Sequence, residues 1–133
     1  MRPDIFYVLL ELGSGPQYPY AEFGCRYQLF LPLTADGHVD TDALRADSGR
    51  YRGVRLRAGD GEANGRIVAG AGGKFVLAYD DFRFYPSTLL FGSAPLAAGN
   101  VVRIAEYDGG AQDYRVVSTR RVAAPFAEVA ESA

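Results

Sequence analysis

Glycine and proline cut this chain into short segments, and that punctuation is what most limits how it folds. Sixteen glycines and seven prolines are spread over 133 residues, and between them lie brief runs rich in Val, Ile, Leu, Tyr and Phe. Runs of four to eight such residues bounded by turn formers are the mark of strands, and many of them in succession indicate a sandwich or barrel. The chain has no internal repeat, heptad pattern or low-complexity tract. It has the length of one domain with one core, and 48% apolar and 23% charged residues give it an ordinary globular composition.

The runs can be read in order. Asp4 to Leu12 is apolar on both faces, as expected of a strand covered on both sides. The stretch from Gly13 to Tyr20, with two prolines and two glycines, reads as an extended surface loop. From Gly24 to Leu31 the side chains alternate, with Cys25, Tyr27, Leu29 and Leu31 on one face. The polar segment from Thr34 to Gly49 contains the one helical candidate, Thr41 to Asp47, preceded by capping residues. Further strands are expected at Arg50 to Arg57, near Arg66 to Ala69 and at Lys74 to Tyr79, and Thr88 to Phe91 is a short apolar run closed by Gly92. Val101 to Tyr107 and Asp113 to Val122 flank Asp108-Gly109-Gly110, the clearest hairpin turn in the chain. Residues 123–133 lose the β pattern and read as a tail in which Phe126 is the one plausible anchor.

Two stretches resemble the third, C-terminal β-barrel domain of the translational GTPase elongation factor Tu. Gly24-Cys25-Arg26-Tyr27-Gln28-Leu29-Phe30 is similar to that domain's Gly-Tyr-Arg-Pro-Gln-Phe strand, with Gly24, Arg26 and Gln28 matching and Cys25, Tyr27 and Leu29 departing. The run from Pro95 to Glu106 resembles the turn, strand and acidic hairpin that close the same barrel. Together these two stretches span about a seventh of the chain, and Thr34 to Gly73 has no counterpart. The resemblance implies a closed six-stranded antiparallel barrel standing alone. It implies no GTPase activity, because a nucleotide-binding domain is not part of it.

Much chemistry is excluded or disfavoured. With one cysteine, Cys25, and one histidine, His38, neither an internal disulfide nor a multi-histidine metal site can form, and the chain suits a reducing compartment. No run reaches the roughly 18–20 apolar residues of a membrane span, and Ile5 to Leu10 lacks the features of a signal peptide, so a cytoplasmic protein without membrane contact is expected. Ala69-Gly70-Ala71-Gly72-Gly73-Lys74 fails as a phosphate loop, since Val68 and Phe75 stand where that motif needs Gly and Ser or Thr. Asp80 and Asp81 point to opposite faces if they lie on a strand, and Asp81 has Arg83 as a nearby partner. The acidic residues Asp36, Asp40, Asp42 and Asp47 lack the order of a calcium loop. Cys25 shares the parity of a core face, so a buried, inert thiol is favoured over a nucleophile paired with His38.

Arg50-Tyr51-Arg52-Gly53-Val54-Arg55-Leu56-Arg57 places four arginines within eight residues, with Arg66 close by on the expected neighbouring strand. A bulge at Gly53 would turn all four to solvent, where they would grip phosphates or an acidic partner while Tyr51 stacks. The net charge of −2 argues against a generally nucleic-acid-binding surface. Tyr18 and Tyr20 in the first loop, and the aromatics from Tyr79 to Tyr85, are candidates for a protein interface.

The expectation is thus all-β: a single antiparallel barrel of six to seven strands over residues 1–122, at most one short helix, and a tail at 123–133. The expected function is a non-catalytic module that binds a protein partner through strand faces and loops, with Arg50, Tyr51, Arg52, Arg55, Arg57, Tyr18 and Tyr20 as contacts. No cofactor, metal or catalytic residue is assigned. The alternatives are an RNA-binding, translation-factor-like accessory protein using the arginine strand, and a small enzyme with an unrecognised acid/base site.

Overall fold

The computed structural model describes residues 4–12, 25–57, 61–106 and 110–122. Eight antiparallel strands follow one another around a closed barrel: β1 (Ile5–Leu12), β2 (Cys25–Pro32), β3 (Tyr51–Arg57), β4 (Gly61–Ala69), β5 (Phe75–Tyr79), β6 (Ser87–Leu90), β7 (Val101–Glu106) and β8 (Gly110–Val122). Each strand pairs with the next in sequence, and β8 closes on β1 from Ile5↔Val122 to Leu12↔Tyr114. The closure shifts register between Leu9 and Leu10, a bulge that lets the long last strand bend around the wall.

The strand count exceeds the six to seven expected, because β6 is weak in sequence, and β4 is longer than the expected Arg66 to Ala69. Strand β4 carries Gly61, Glu62, Asn64, Gly65 and Arg66, so its solvated face hides the inward series Ala63, Gly65, Ile67. Strand β6 has only four residues, yet it pairs with both β5 and β7. The one α-helix among the described residues, α1 (Thr41–Ala46), forms where expected. Its N-cap Asp40 accepts a hydrogen bond from the Ala43 amide at 3.0 Å, and its buried Leu44 anchors it to the barrel.

Alternation sorts the side chains as a half-buried sheet requires. Tyr27, Leu29 and Leu31 of β2, Leu77 of β5, Leu89 of β6 and Ile104 of β7 are fully buried and fill the interior. An eight-stranded barrel has an interior just wide enough for side chains, so large residues on one wall need small ones opposite. Gly53 of β3 makes such room, and Gly65 of β4 lets the backbone of the neighbouring β5 come close. A Cβ on Gly53 would lie 2.8 Å from a Leu77 methyl, and one on Gly65 would lie 2.5 Å from the backbone oxygen of Ala78.

The two ends of the barrel differ. At one end lie the start of β1, the turn from Thr34 to His38 and α1, with Leu33, Leu44 and Leu96 buried. The hairpin Gly70–Lys74 also belongs there, and Gly72 and Gly73 adopt the positive φ its turn demands. It is a plain β4–β5 connection. At the other end the strands finish in Arg57, Tyr79, Ser87 and Glu106, a polar set.

Gly65 makes the sharper test of this packing. Gly65→Ala meets backbone that has no room to yield and is expected at the upper end of the about 1–3 kcal/mol cost of overpacking. Gly53→Ala meets only a flexible leucine terminus and should cost less, and urea denaturation of both variants reads the difference.

Candidate functional site

The polar end of the barrel is built around a buried carboxylate. Glu106 is the last residue of β7 and continues the inward series Val102, Ile104, so alternation turns it into the lumen. Ser87, the first residue of β6 and 0% exposed, lies 3.1 Å and 3.0 Å from its two carboxylate oxygens and donates to it. Tyr27, inward on β2, donates its hydroxyl proton to the same carboxylate. Because the Ser87 proton is committed to Glu106, the Tyr79 hydroxyl at 2.6 Å is the donor to Ser87 Oγ.

Strand β3 adds the cations. Arg55 Nη1 stands 3.5 Å from Glu106 Oε2, and Arg57 Nη2 stands 3.5 Å from Oε1. Arg55 is 4% exposed, and its guanidinium carbon lies 4.7 Å from the Tyr79 ring centroid and 5.2 Å from that of Phe84, so aromatic faces cover it. Tyr27 and Tyr114 meet edge to face at 5.0 Å beneath the cluster. Burial pushes the Tyr79 hydroxyl above the usual phenol range, against the opposing pull of Ser87 and Arg55. Burial, then hydrogen bonding with Cys25, does the same more strongly for Tyr114.

Directly outside this cluster is the β5–β6 connection, residues 80–86. The Asp80 amide donates to Asn64 O at 2.8 Å, and Arg52 Nη2 reaches Asp80 Oδ2 at 3.1 Å. Arg83 grips Asp81 through Nε and Nη2, the latter at 2.6 Å from Oδ2, and this fork holds the Asp81 carboxyl at about 2, below the usual carboxylate range. The Phe84 amide closes the turn on Asp81 O at 3.1 Å. The loop therefore has two faces. Phe84 packs inward on Tyr79 and Arg55, whereas Phe82 is 93% exposed and Tyr85 60% exposed.

The structure divides the residues singled out in sequence. The β2–β3 register runs without interruption from Cys25↔Arg57 to Phe30↔Arg52, so Gly53 carries no bulge and the four arginines do not share a face. Arg50 precedes β3 and is exposed, and Arg52 points outward opposite Arg66. Arg55 and Arg57 point inward to Glu106. Tyr51 is 2% exposed in the core and offers no ring for stacking. The reason is that the apolar-looking side of β3, Val54 and Leu56, is its outward side. Tyr18 and Tyr20 lie outside the described residues, as does the tail at 123–133.

Other expectations can be placed too. Asp81 pairs with Arg83 as the sequence indicated, and Cys25 is a buried free thiol. Cys25 opens β2 while His38 follows its far end, so the length of a strand separates them. Among the described residues no group of three or more His, Cys, Asp or Glu is placed to hold a metal. None of their helices is long and apolar enough to cross a membrane.

Glu106, Ser87 and Tyr27 were absent from the sequence candidates, and Tyr79 entered only as a candidate interface aromatic, whereas it lies buried in this cluster. Their common signal is positional, since each is a polar group continuing the inward parity of its strand at the same end of the barrel. No family model, curated protein or solved structure matches the chain.

Two outcomes follow from this cluster. Arg55→Leu and Glu106→Leu each strand a buried opposite charge and are expected to cost about 3–5 kcal/mol. The double variant should cost clearly less than their sum in a denaturation cycle, and additive costs would show that the pair does not interact. Because Tyr79 and Tyr114 have raised folded-state pKa values, their contribution is complete below the ordinary phenol pKa and is lost as pH rises beyond it. Absorbance titration near 295 nm should therefore show these two phenols ionising above pH 10, in step with alkaline unfolding.

Proposed function

We propose that this barrel is a non-catalytic protein-binding module whose contact residues centre on Phe82 and Tyr85 of the 80–86 turn. The exposure of Phe82 carries this reading. A phenylalanine 93% exposed presents a large apolar surface to solvent, on a turn seated on the barrel through the packing of Phe84 against Tyr79 and Arg55. Aromatic and arginine side chains are the groups enriched at the energetic centres of protein interfaces, and Arg83 stands between the two aromatics.

The internal network suits a scaffold better than a reaction centre. Glu106 accepts from Ser87 and Tyr27 and faces two guanidiniums, an arrangement in which every partner holds the carboxylate in place. The RNA-binding alternative loses support from the same geometry, because Arg55 and Arg57 are drawn into the lumen and Arg52 is paired with Asp80. A translation-factor-like accessory role remains tied to the sequence resemblance alone.

The test is affinity capture of the tagged protein with nuclease present, followed by binding measurements on any stoichiometric protein companion. Phe82→Ser with Tyr85→Ser is expected to weaken binding by about 2 kcal/mol, roughly 30-fold in Kd, with an unchanged melting temperature. A companion that binds the folded double variant as tightly as the parent removes this turn as the contact. Recovery of RNA, with binding abolished by nuclease, overturns the protein-binding reading.

A further inference from the structure

The 80–86 turn opens onto the outer wall formed by β3, β4 and β5, and that wall carries a charge arrangement that works against the barrel itself. Arg52 of β3 and Arg66 of β4 stand directly opposite each other in the register, both on the outward parity of their strands. Like charges in that position oppose strand pairing. Asp80, at the start of the turn, takes Arg52 at 3.1 Å. Among the described residues no side chain forms an ion pair or hydrogen bond with the guanidinium of Arg66, which is exposed. The Asp81–Arg83 fork is neutral as a pair and leaves no carboxylate over for it.

Apolar surface surrounds these cations. Val54, Val68, Val76 and Ala78 point outward and are half-buried, and Ala78 lies directly opposite Arg66 and two positions before Asp80. A chain laid across the turn therefore meets small aliphatic side chains and an unanswered cation next. We infer that the partner of the 80–86 turn is an acidic protein segment, which sets an apolar side chain against Phe82 and a carboxylate against Arg66. This rests on the protein-binding reading of the turn and names its partner by charge. Complementary charge across an interface fixes both the partner and its register. A peptide carboxylate suits the wall better than a nucleic-acid backbone, whose phosphates recruit several cations together. Here Arg66 stands among aliphatic side chains, Arg52 already has Asp80, and the chain as a whole carries a net charge of −2.

The experiment is selection of a random peptide library, displayed on phage, against the immobilised full chain. Retained sequences should carry Asp or Glu close to an apolar anchor. A synthetic peptide of that kind should lose about tenfold in affinity for the Arg66→Glu variant and bind the parent more weakly as salt is raised. Arg66→Glu places a carboxylate opposite Arg52, so its melting temperature should hold or rise, which separates lost binding from lost fold. Selection repeated on this variant should favour Lys and Arg instead. Peptides that need Phe82 but show no acidic preference, or whose affinity ignores Arg66→Glu, overturn this inference and leave the protein-binding reading standing. If no retained peptide responds to Phe82→Ser, that reading fails and the inference falls with it. Displacement of the peptide by a single-stranded oligonucleotide whose own binding needs Arg66 makes the cations a phosphate site and overturns the inference as well.

Discussion

The constraint on which the rest of this structure depends is the presence of an acidic side chain inside a closed barrel. A carboxylate removed from water costs several kcal/mol unless opposite charge and hydrogen-bond donors meet it. Glu106 sits on β7, and the groups that meet it come from β2, β3 and β6, with Tyr79 of β5 joined through Ser87. Strands β3 and β7 face each other across the lumen of an eight-strand closed order, so the network ties opposite walls as well as neighbours. A slip of one residue in any of these strands would turn its polar group outward and strand Glu106. Hydrophobic packing alone specifies register less sharply, because one aliphatic side chain can replace another at modest cost.

The same demand explains the unusual composition of β3. Its inward face is Tyr51, Gly53, Arg55 and Arg57, running from the apolar end of the barrel to the polar one. At mid-height the lumen beside Gly53 is filled by Leu29 of the neighbouring β2 and Leu77 of β5, whose methyls lie where a side chain on β3 would begin. Toward the polar end the missing bulk is replaced by long arginine stems, whose methylenes pack while their guanidiniums reach Glu106. One strand thus serves an apolar and an ionic layer in succession.

This layering decides what was readable in the sequence. The fold class was legible because Gly/Pro punctuation and β-branched runs are local signals, and the helix was legible because Asp40 caps it by contact with Ala43 nearby in sequence. The eighth strand was not, since β6 is only four residues long and takes its place from pairing with both β5 and β7, and β4 was legible only over Arg66 to Ala69 because its polar and small first half carries little propensity of its own. The site was illegible for a deeper reason. Periodicity assigns apolar residues to the inside, and on β3 that rule puts Val54 and Leu56 in the core and Arg55 and Arg57 in solvent, the reverse of their arrangement. What overrides it lies 51 positions beyond Arg55, in Glu106, and a pattern confined to one strand holds no trace of a partner that distant.

The inner network and the outer turn are not independent features. Phe84 packs on Tyr79 and over Arg55, so the turn that displays Phe82 is seated directly on the ionic layer. Its other anchors are Asp80 with Arg52 and the Asp81–Arg83 fork, all at the surface, where ion pairs are individually weak. The buried contact is what gives the turn a fixed orientation, since the Arg55 guanidinium it covers is itself held by Glu106 from the far wall. The turn that carries the outward aromatic is therefore seated on charges inside the barrel. That coupling gives the polar lumen a role that a wholly aliphatic core would not fill: it turns the end of a barrel, where loops ordinarily have freedom, into a platform for the exposed ring above it.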